Sequence, residues 1–371
     1  MAENKIEDLD EEIEDNLSSN DLFNIVSWGA DLSLREIKEN FKDGDFVKPS
    51  LQRNYVWDKK EASRFIESIL LGLPVPSIFL ANTTDEKKLI VDGYQRIQTI
   101  YDFFEGVCSR DRSEFRLNCK EINERWKGKT YNDLESDDQR RFKQYLLHAI
   151  IFEQKTPKDD SGIFQIFERI NSGGKVLNAQ EIRNCIYQGD LNDIILELNK
   201  NQDWRDLFGD KDEESRMKDV EFILRFFTLS SDTVLKSEKT QIVLKKEMND
   251  FMKNHIKMSE EEKDKAKKNF LDCISFLKNN MGEDVFHNFE KDTEKYRKAF
   301  HPTIYDSIMI ATNIAIGSGR GDMSDFENRK RQLLKDEDYK SAINQGTMRS
   351  LAIKTRINKA LSILYRMDGY E

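Results

Sequence analysis

The sequence has little cysteine, little histidine and no long apolar run, and each shortage narrows what the chain can be. Its 371 residues hold four cysteines, Cys108, Cys119, Cys185 and Cys273, far apart and without a C-x-x-C pair. That set reads as reduced thiols in a cytoplasmic protein rather than as a disulfide frame or a zinc site. The four histidines, His148, His255, His287 and His301, are widely spaced, and each reads as a core or surface side chain. No stretch approaches the ~18 apolar residues of a membrane-crossing helix. The N-terminus is acidic and lacks the basic-then-apolar order of a secretory signal. The expected location is therefore the cytoplasm, with no membrane partner. An excess of positive charge is also missing: 59 Lys and Arg face 69 Asp and Glu, a net charge of −10. No global field draws the chain to nucleic acid, so contact with DNA or nucleotide has to come from a local basic site.

What is present is charge and phenylalanine. Charged residues make up 35% of the chain and hydrophobic ones 38%, which points to well-solvated helices rather than an oversized core. The 23 phenylalanines fall in periodic clusters, so a core is still available. The length suggests two or three domains. Residues 1–19 form a charged leader of low hydrophobicity, expected to be disordered or a frayed helix, with a functional acidic tail as the other reading.

Local signals place the first elements. Ser33 with Glu36 and Asp58 with Glu61 are spaced as capping boxes. The first opens a short helix ending near Lys42, before the Asp43-Gly44 turn and a strand at Phe46-Val47. The second opens a helix with Phe65, Ile66, Ile69, Leu70 and Leu73 on one face, ending near Gly72. Pro74-Val75-Pro76 is extended. Strands are predicted over 77–81 and 87–91, then a helix of about twelve residues burying Ile97, Ile100, Tyr101 and Phe104 and closing at Gly106. Further strands are predicted at 114–118 and 148–153, and nearly all sequence from 161 onward reads as helix. The fold class is α+β: a mixed sheet with helices over residues 20–200, then an α-helical domain over 201–371.

Three segments carry residues that capping and turns do not fully explain. In Asp92-Gly93-Tyr94-Gln95-Arg96 a strand ends, a glycine permits a tight turn, and a helix begins. Free N–H groups and the positive dipole end suit a phosphate there. Arg96 could grip that phosphate with two donors, whereas its charge opposes the dipole. A plain cap and turn explains the same letters equally well. In Gln52-Arg53-Asn54-Tyr55-Val56-Trp57, Arg53 could stack or bind phosphate; packed aromatics and a paired Arg53 are the plainer reading. The third segment runs from Phe167 to Arg183. Ser172-Gly173-Gly174 is a turn, and Asn178 with Glu181 caps a new helix. Arg169, Asn171 and Arg183 are left over, and could share a pocket.

Taken together, the stretches QRNYVW, IESILLGLPVPSI, DGYQR and RINSGGKVLNAQEIR resemble, in order and spacing over residues 45–190, the N-terminal domain of GmrSD-type restriction endonucleases. Arg216-Met217-Lys218-Asp219 and Leu224-Arg225-Phe226 resemble the same family. The resemblance implies a ParB/sulfiredoxin-like fold and a nucleotide-binding, NTP-hydrolysing role in bacterial defence against phage or modified DNA. By position it assigns Asp92, Gly93, Gln95 and Arg96 to the family's D-G-Q-Q-R box, with Tyr94 in place of the first Gln. An NTP-hydrolysing reading gives catalytic roles to Asp92, Gln95, Arg96 and Glu181, with Asp92 or Glu181 to hold Mg²⁺ or orient a water. Nucleotide contacts would come from Gln52, Arg53, Gly93, Tyr94, Arg169, Asn171 and Arg183. Mg²⁺ is expected from NTP chemistry in general. Many relatives continue into an HNH nuclease domain; these histidines form no such pattern, so any cleavage would fall to a separate nuclease or defence subunit, or to the ParB-like domain itself.

The C-terminal half shows amphipathic helices and no catalytic constellation. Residues 347–367 carry Arg349, Lys354, Arg356, Lys359 and Arg366, with Leu351, Ile353, Ile357, Leu361 and Leu364 as the expected apolar face. A docked helix with a solvated basic face is the expectation, and a phosphate-backbone contact the alternative. The leading function is an NTPase or nucleotide sensor. A DNA nuclease using the same pocket and a non-catalytic regulator are its rivals.

Overall fold

A computed structural model describes residues 6–7, 24–48, 55, 57–83, 86–118, 121–156, 162, 166, 170, 178–213, 217–290, 293, 295–319 and 324–369. The chain divides into two compact units, Asp21–Ile186 and Met1–Asn20 with Tyr187–Glu371. The division falls at Ile186/Tyr187, ahead of the boundary expected near residue 200.

The first unit is α+β, built on a five-stranded mixed sheet of order β1-β5-β3-β4-β2. The strands are β1 (Asn24–Ser33), β2 (Phe46–Val47), β3 (Ile78–Asn82), β4 (Lys88–Asp92) and β5 (Leu146–Thr156). β1 pairs antiparallel with β5, and β5 runs parallel to β3. β3 is antiparallel to β4, which is parallel to β2. Four of the unit's helices are α1 (Leu34–Asp43), α2 (Lys59–Leu70), α3 (Tyr94–Glu105) and α4 (Ser136–Gln144). Their apolar faces meet one side of the sheet around Ile66, Ile69, Leu80, Ile90, Ile100 and Phe103. A fifth helix, α5 (Ala179–Ile186), ends the unit.

Both expected capping boxes are present: Ser33 and Asp58 each accept from the backbone of a glutamate three residues on, whose carboxylate accepts in return. Gly44 and Gly106 close α1 and α3 in the left-handed region, where glycine carries no Cβ penalty. Three details differ from expectation. Leu73 is exposed beyond the end of α2. On α3, Phe103 is fully buried, while Tyr101 and Phe104 are half-buried. Residues 114–118 form no strand and make only a bridge from Glu114 to Val107. Phe115 and Leu117 alternate inward as a strand would, but their N–H groups donate to the carbonyls of Gly106 and Lys129 in loops. An alternating pattern reports which side chains are buried, not whether a neighbouring strand exists.

β1 has no counterpart among the predicted strands. Gly29 interrupts it in the manner of a breaker. The structure gives the reason: a Cβ there would lie 2.8 Å from His148 Cε1, so the glycine makes room for the imidazole on β5. His148 in turn meets the Asp31 carboxylate at 2.8 Å.

The second unit is helical, as expected, with one missed hairpin, β6 (His287–Phe289) with β7 (Tyr296–Phe300). Its helices are α6 (Asp190–Leu198), α7 (Gln202–Phe208), α8 (Lys218–Leu229), α9 (Asp232–Leu235), α10 (Leu244–Asn254), α11 (Glu260–Met281), α12 (Pro302–Ser318), α13 (Phe326–Lys335), α14 (Glu337–Asn344) and α15 (Ser350–Tyr365). Of the 1–19 leader the structure describes Ile6 and Glu7. Ile6 bridges Phe300, and Glu7 pairs with Arg297 at 3.1 Å. α12 is buried over most of its length. Asp306 on it receives Arg225 through Nε at 3.1 Å and Nη2 at 2.6 Å, and Arg356 at 3.3 Å. Asp219 receives Arg205 at 2.7 Å. The residues Asp219 and Arg225 of the family-like second stretch are thus bound in buried ion pairs; Arg216 lies outside the described residues.

α15 corrects the expected division of its faces. Arg356 is completely buried, and Leu351 is 77% exposed. Lys359 pairs with Asp336 and Asp338 at 2.9 and 2.8 Å. The helix docks through Ile353, Ile357, Leu361 and Leu364, but two of the five cations of residues 347–367, Arg356 and Lys359, are taken by carboxylates rather than left for phosphate.

Candidate functional site

The box forms where β4 hands the chain to α3. β4 ends at Asp92, and Gly93 turns the chain at φ +100°. A side chain at Gly93 is excluded twice: the φ is one that L residues rarely adopt, and a Cβ would lie 2.5 Å from Ile78 Cγ2 and 3.2 Å from Arg96 Nη2. No side chain caps α3. Its first N–H groups are therefore left with the positive end of the helix dipole and no internal acceptor.

Arg96 is folded back over this turn. Its Nη2 donates to Asp92 Oδ2 at 2.7 Å and to the Ser77 carbonyl at 3.1 Å. Its side chain is only 15% exposed, against 42% for Asp92. Among the described residues the buried Nε has no partner. One nitrogen thus anchors the guanidinium to the end of β4 and to the start of β3, and among the described residues its other donors make no hydrogen bond. The cation at the wrong end of a helix is explained in part by Asp92, which offsets its charge.

Tyr94 and Gln95 point to opposite jobs. Tyr94 is buried, and its hydroxyl donates to Gln98 Oε1 at 2.8 Å. Gln98 Nε2 donates to Asp102 Oδ1 at 2.7 Å and to Ser109 Oγ at 2.8 Å. Ser109 donates to the same carboxylate through N and Oγ. Burial pushes Tyr94 up to about 12 and raises Asp102, although the Ser109 and Gln98 bonds oppose the latter. Gln95 Oε1 accepts from the Trp57 N–H at 3.3 Å. Thr99 ties that turn to Tyr55, whose hydroxyl lies 2.8 Å from its Oγ1. The tail of the Q-R-x-Y-x-W stretch, Tyr55 and Trp57, is therefore tied to the box.

The other expected site residues fall differently. Glu181 closes the expected capping box: its carboxylate accepts from Asn178 N at 2.6 Å, and its own N–H donates to Asn178 Oδ1 at 2.9 Å. Arg183 is buried and donates to Gln180 Oε1 at 3.1 Å. Gln52, Arg53, Arg169 and Asn171 lie outside the described residues. The structure thus brings together Asp92, Gly93, Tyr94, Gln95 and Arg96. It adds Ser77, inside the IESILLGLPVPSI stretch but not singled out there, and Gln98 and Asp102, which no motif flagged. The i, i+4, i+8 spacing of Tyr94, Gln98 and Asp102 was the available signal for one polar ladder on a helix. Among the described residues no three His, Cys, Asp or Glu side chains gather as a metal cage.

The fold and site define an α+β domain whose polar box opens an uncapped helix from the end of a sheet strand. Residues 34–188 match the family described as GmrSD restriction endonuclease, N-terminal domain, and that segment is a domain of this family. No curated protein and no solved structure matches the chain. No helix among the described residues is long and apolar enough to cross a membrane.

Proposed function

We propose that the domain spanning residues 34–188 binds a nucleoside triphosphate and hydrolyses it, as part of a bacterial DNA-restriction or anti-phage system. The restriction setting rests on the family. The nucleotide reading rests on one observation above the rest: the uncapped start of α3, with the Arg96 guanidinium anchored by a single nitrogen beside it. In this reading the phosphates lie against the N–H groups that follow Gly93, and Arg96 neutralises charge as it builds. Gln52, Arg53, Arg169, Asn171 and Arg183 would supply further contacts from their own segments.

Mg²⁺ would arrive with the triphosphate, since such sites use one or two carboxylates plus phosphate oxygens rather than an all-protein cage. Asp92 fits that demand: it is part-exposed, and among the described residues only its Oδ2 is engaged, by Arg96. Glu181 fits it less well because its carboxylate serves the helix cap. Bound Mg²⁺ would supply charge neutralisation; Asp92 would orient a water, and Gln95 would hold the turn against Trp57.

A sensor that binds without turnover is the second reading. Tyr94 favours it, because the box's second side chain is turned into the domain instead of toward a ligand. Phosphate release from each of the four common NTPs with Mg²⁺, for wild type, Asp92→Ala and Arg96→Ala, separates the readings. Release abolished by both substitutions supports the NTPase. Binding without release supports the sensor. Neither binding nor release removes the nucleotide reading and turns attention to DNA cleavage through the same pocket.

A further inference from the structure

We propose that Lys48 is a second cation of the box, seated on the ring of Tyr94, and that it takes a phosphate oxygen of the nucleoside triphosphate. The inference rests on the reading of the box as a nucleotide site. Lys48 follows β2 directly, and β2 pairs parallel with β4 through Phe46 and Val47. Parallel pairing carries the residue after Val47 toward the end of the sheet at which β4 gives way to the box. There its Nζ lies 4.6 Å from the centroid of the Tyr94 ring.

Two features of Lys48 point to a missing anion. It is half-buried, and among the described residues it makes no ion pair or hydrogen bond. Four buried or half-buried arginines among the described residues are matched by carboxylates: Arg96 by Asp92, Arg225 and Arg356 by Asp306, Arg205 by Asp219. A desolvated ammonium with only a ring face for company is under-compensated. Burial accordingly holds Lys48 below the ordinary lysine range. An oxyanion at the uncapped helix start would meet that deficit.

The seat itself is fixed. The Tyr94 hydroxyl is tied to Gln98, and Gln98 to Asp102 and Ser109, while Phe41 lies 6.4 Å from the ring, tilted. Tyr94 is then a positioning residue: where the resembling box has a glutamine, this chain has an aromatic platform for a cation. The exchange moves a ligand contact from the box to the residue that follows β2.

The test is titration of the full chain with Mg-ATP, Mg-GTP and tripolyphosphate, with thermal unfolding recorded for each variant. Loss of one charge-assisted phosphate contact predicts that Lys48→Gln weakens all three ligands by about tenfold or more. Lys48→Met, which keeps the stem on the ring, should show the same loss, and Lys48→Arg should recover affinity. Tyr94→Gln should weaken binding too, and adding Lys48→Gln to it should cost little more, because one seat is lost in both. Wild-type affinity in Lys48→Gln and Lys48→Met, alongside weakened binding in Arg96→Ala, overturns this inference and leaves the nucleotide reading intact. Wild type that binds none of the three ligands removes both. A loss in Lys48→Gln confined to the nucleotides, with tripolyphosphate unaffected, contradicts a phosphate contact.

Discussion

Gly93 is the residue on which the box turns. At φ +100°, with Ile78 Cγ2 at 2.5 Å from any added Cβ, Gly93→Ala combines backbone strain with overpacking. The expected loss of stability is about 2–4 kcal/mol. Urea unfolding of the variant checks it; a loss within experimental error would mean that the turn relaxes and does not hold the box. Lys330 is a residue-scale case in the second unit. It is fully buried, faces the Tyr296 ring at 3.8 Å, and donates to the Asp284 carbonyl. Burial drives its pKa from 10.5 down to about 7. Between those two values the unfolded chain holds the proton and the folded chain does not, so this lysine makes stability rise with pH across that window. Below about 7 both states are charged, and the cost of the buried ammonium is fully present. The stability of wild type relative to Lys330→Met should therefore grow from pH 7 to pH 10, by up to about 1.4 kcal/mol per pH unit. A difference that stays constant over that range would contradict the assignment.

Elements differ in how much of them the sequence discloses. The caps of α1 and α2 were legible because a capping box is complete within four residues, and nothing distant can override it. Asp58→Ala should cost about 1 kcal/mol in urea unfolding. The start of α3 was legible for the same reason, as a strand, a glycine and a helix in succession. β1 was not, because the partner of Gly29 is His148 on a strand over a hundred residues away. Nor were the faces of α15, since a helical wheel cannot say which arginine will find a buried carboxylate. Arg356→Ala strands Asp306 with one partner fewer and should cost about 3–5 kcal/mol, whereas Leu351→Ser, at an exposed position, should cost under about 0.5 kcal/mol. Equal effects of the two substitutions would mean that α15 is rotated from the orientation described.

At the scale of the whole molecule, the chain carries two cores with different legibility. The first is readable because its motifs are ordered as a family orders them, and residues 34–188 bear that out. Its end is hard to read in the sequence because α5 and α6 follow one another with only Tyr187 to Gly189 between them, and helical periodicity alone marks no boundary there. The box was legible as letters, but its wiring was not: the burial of Tyr94, the anchoring of Arg96 on Ser77 and the proximity of Lys48 depend on chain segments that meet only in three dimensions. The most direct test of the central claim is calorimetric titration of Mg-bound NTPs into wild type and Arg96→Ala, with both proteins shown to be folded. The account predicts saturable binding by wild type that is weakened at least about tenfold in Arg96→Ala. Equal binding by the two proteins, or none by wild type, would contradict it.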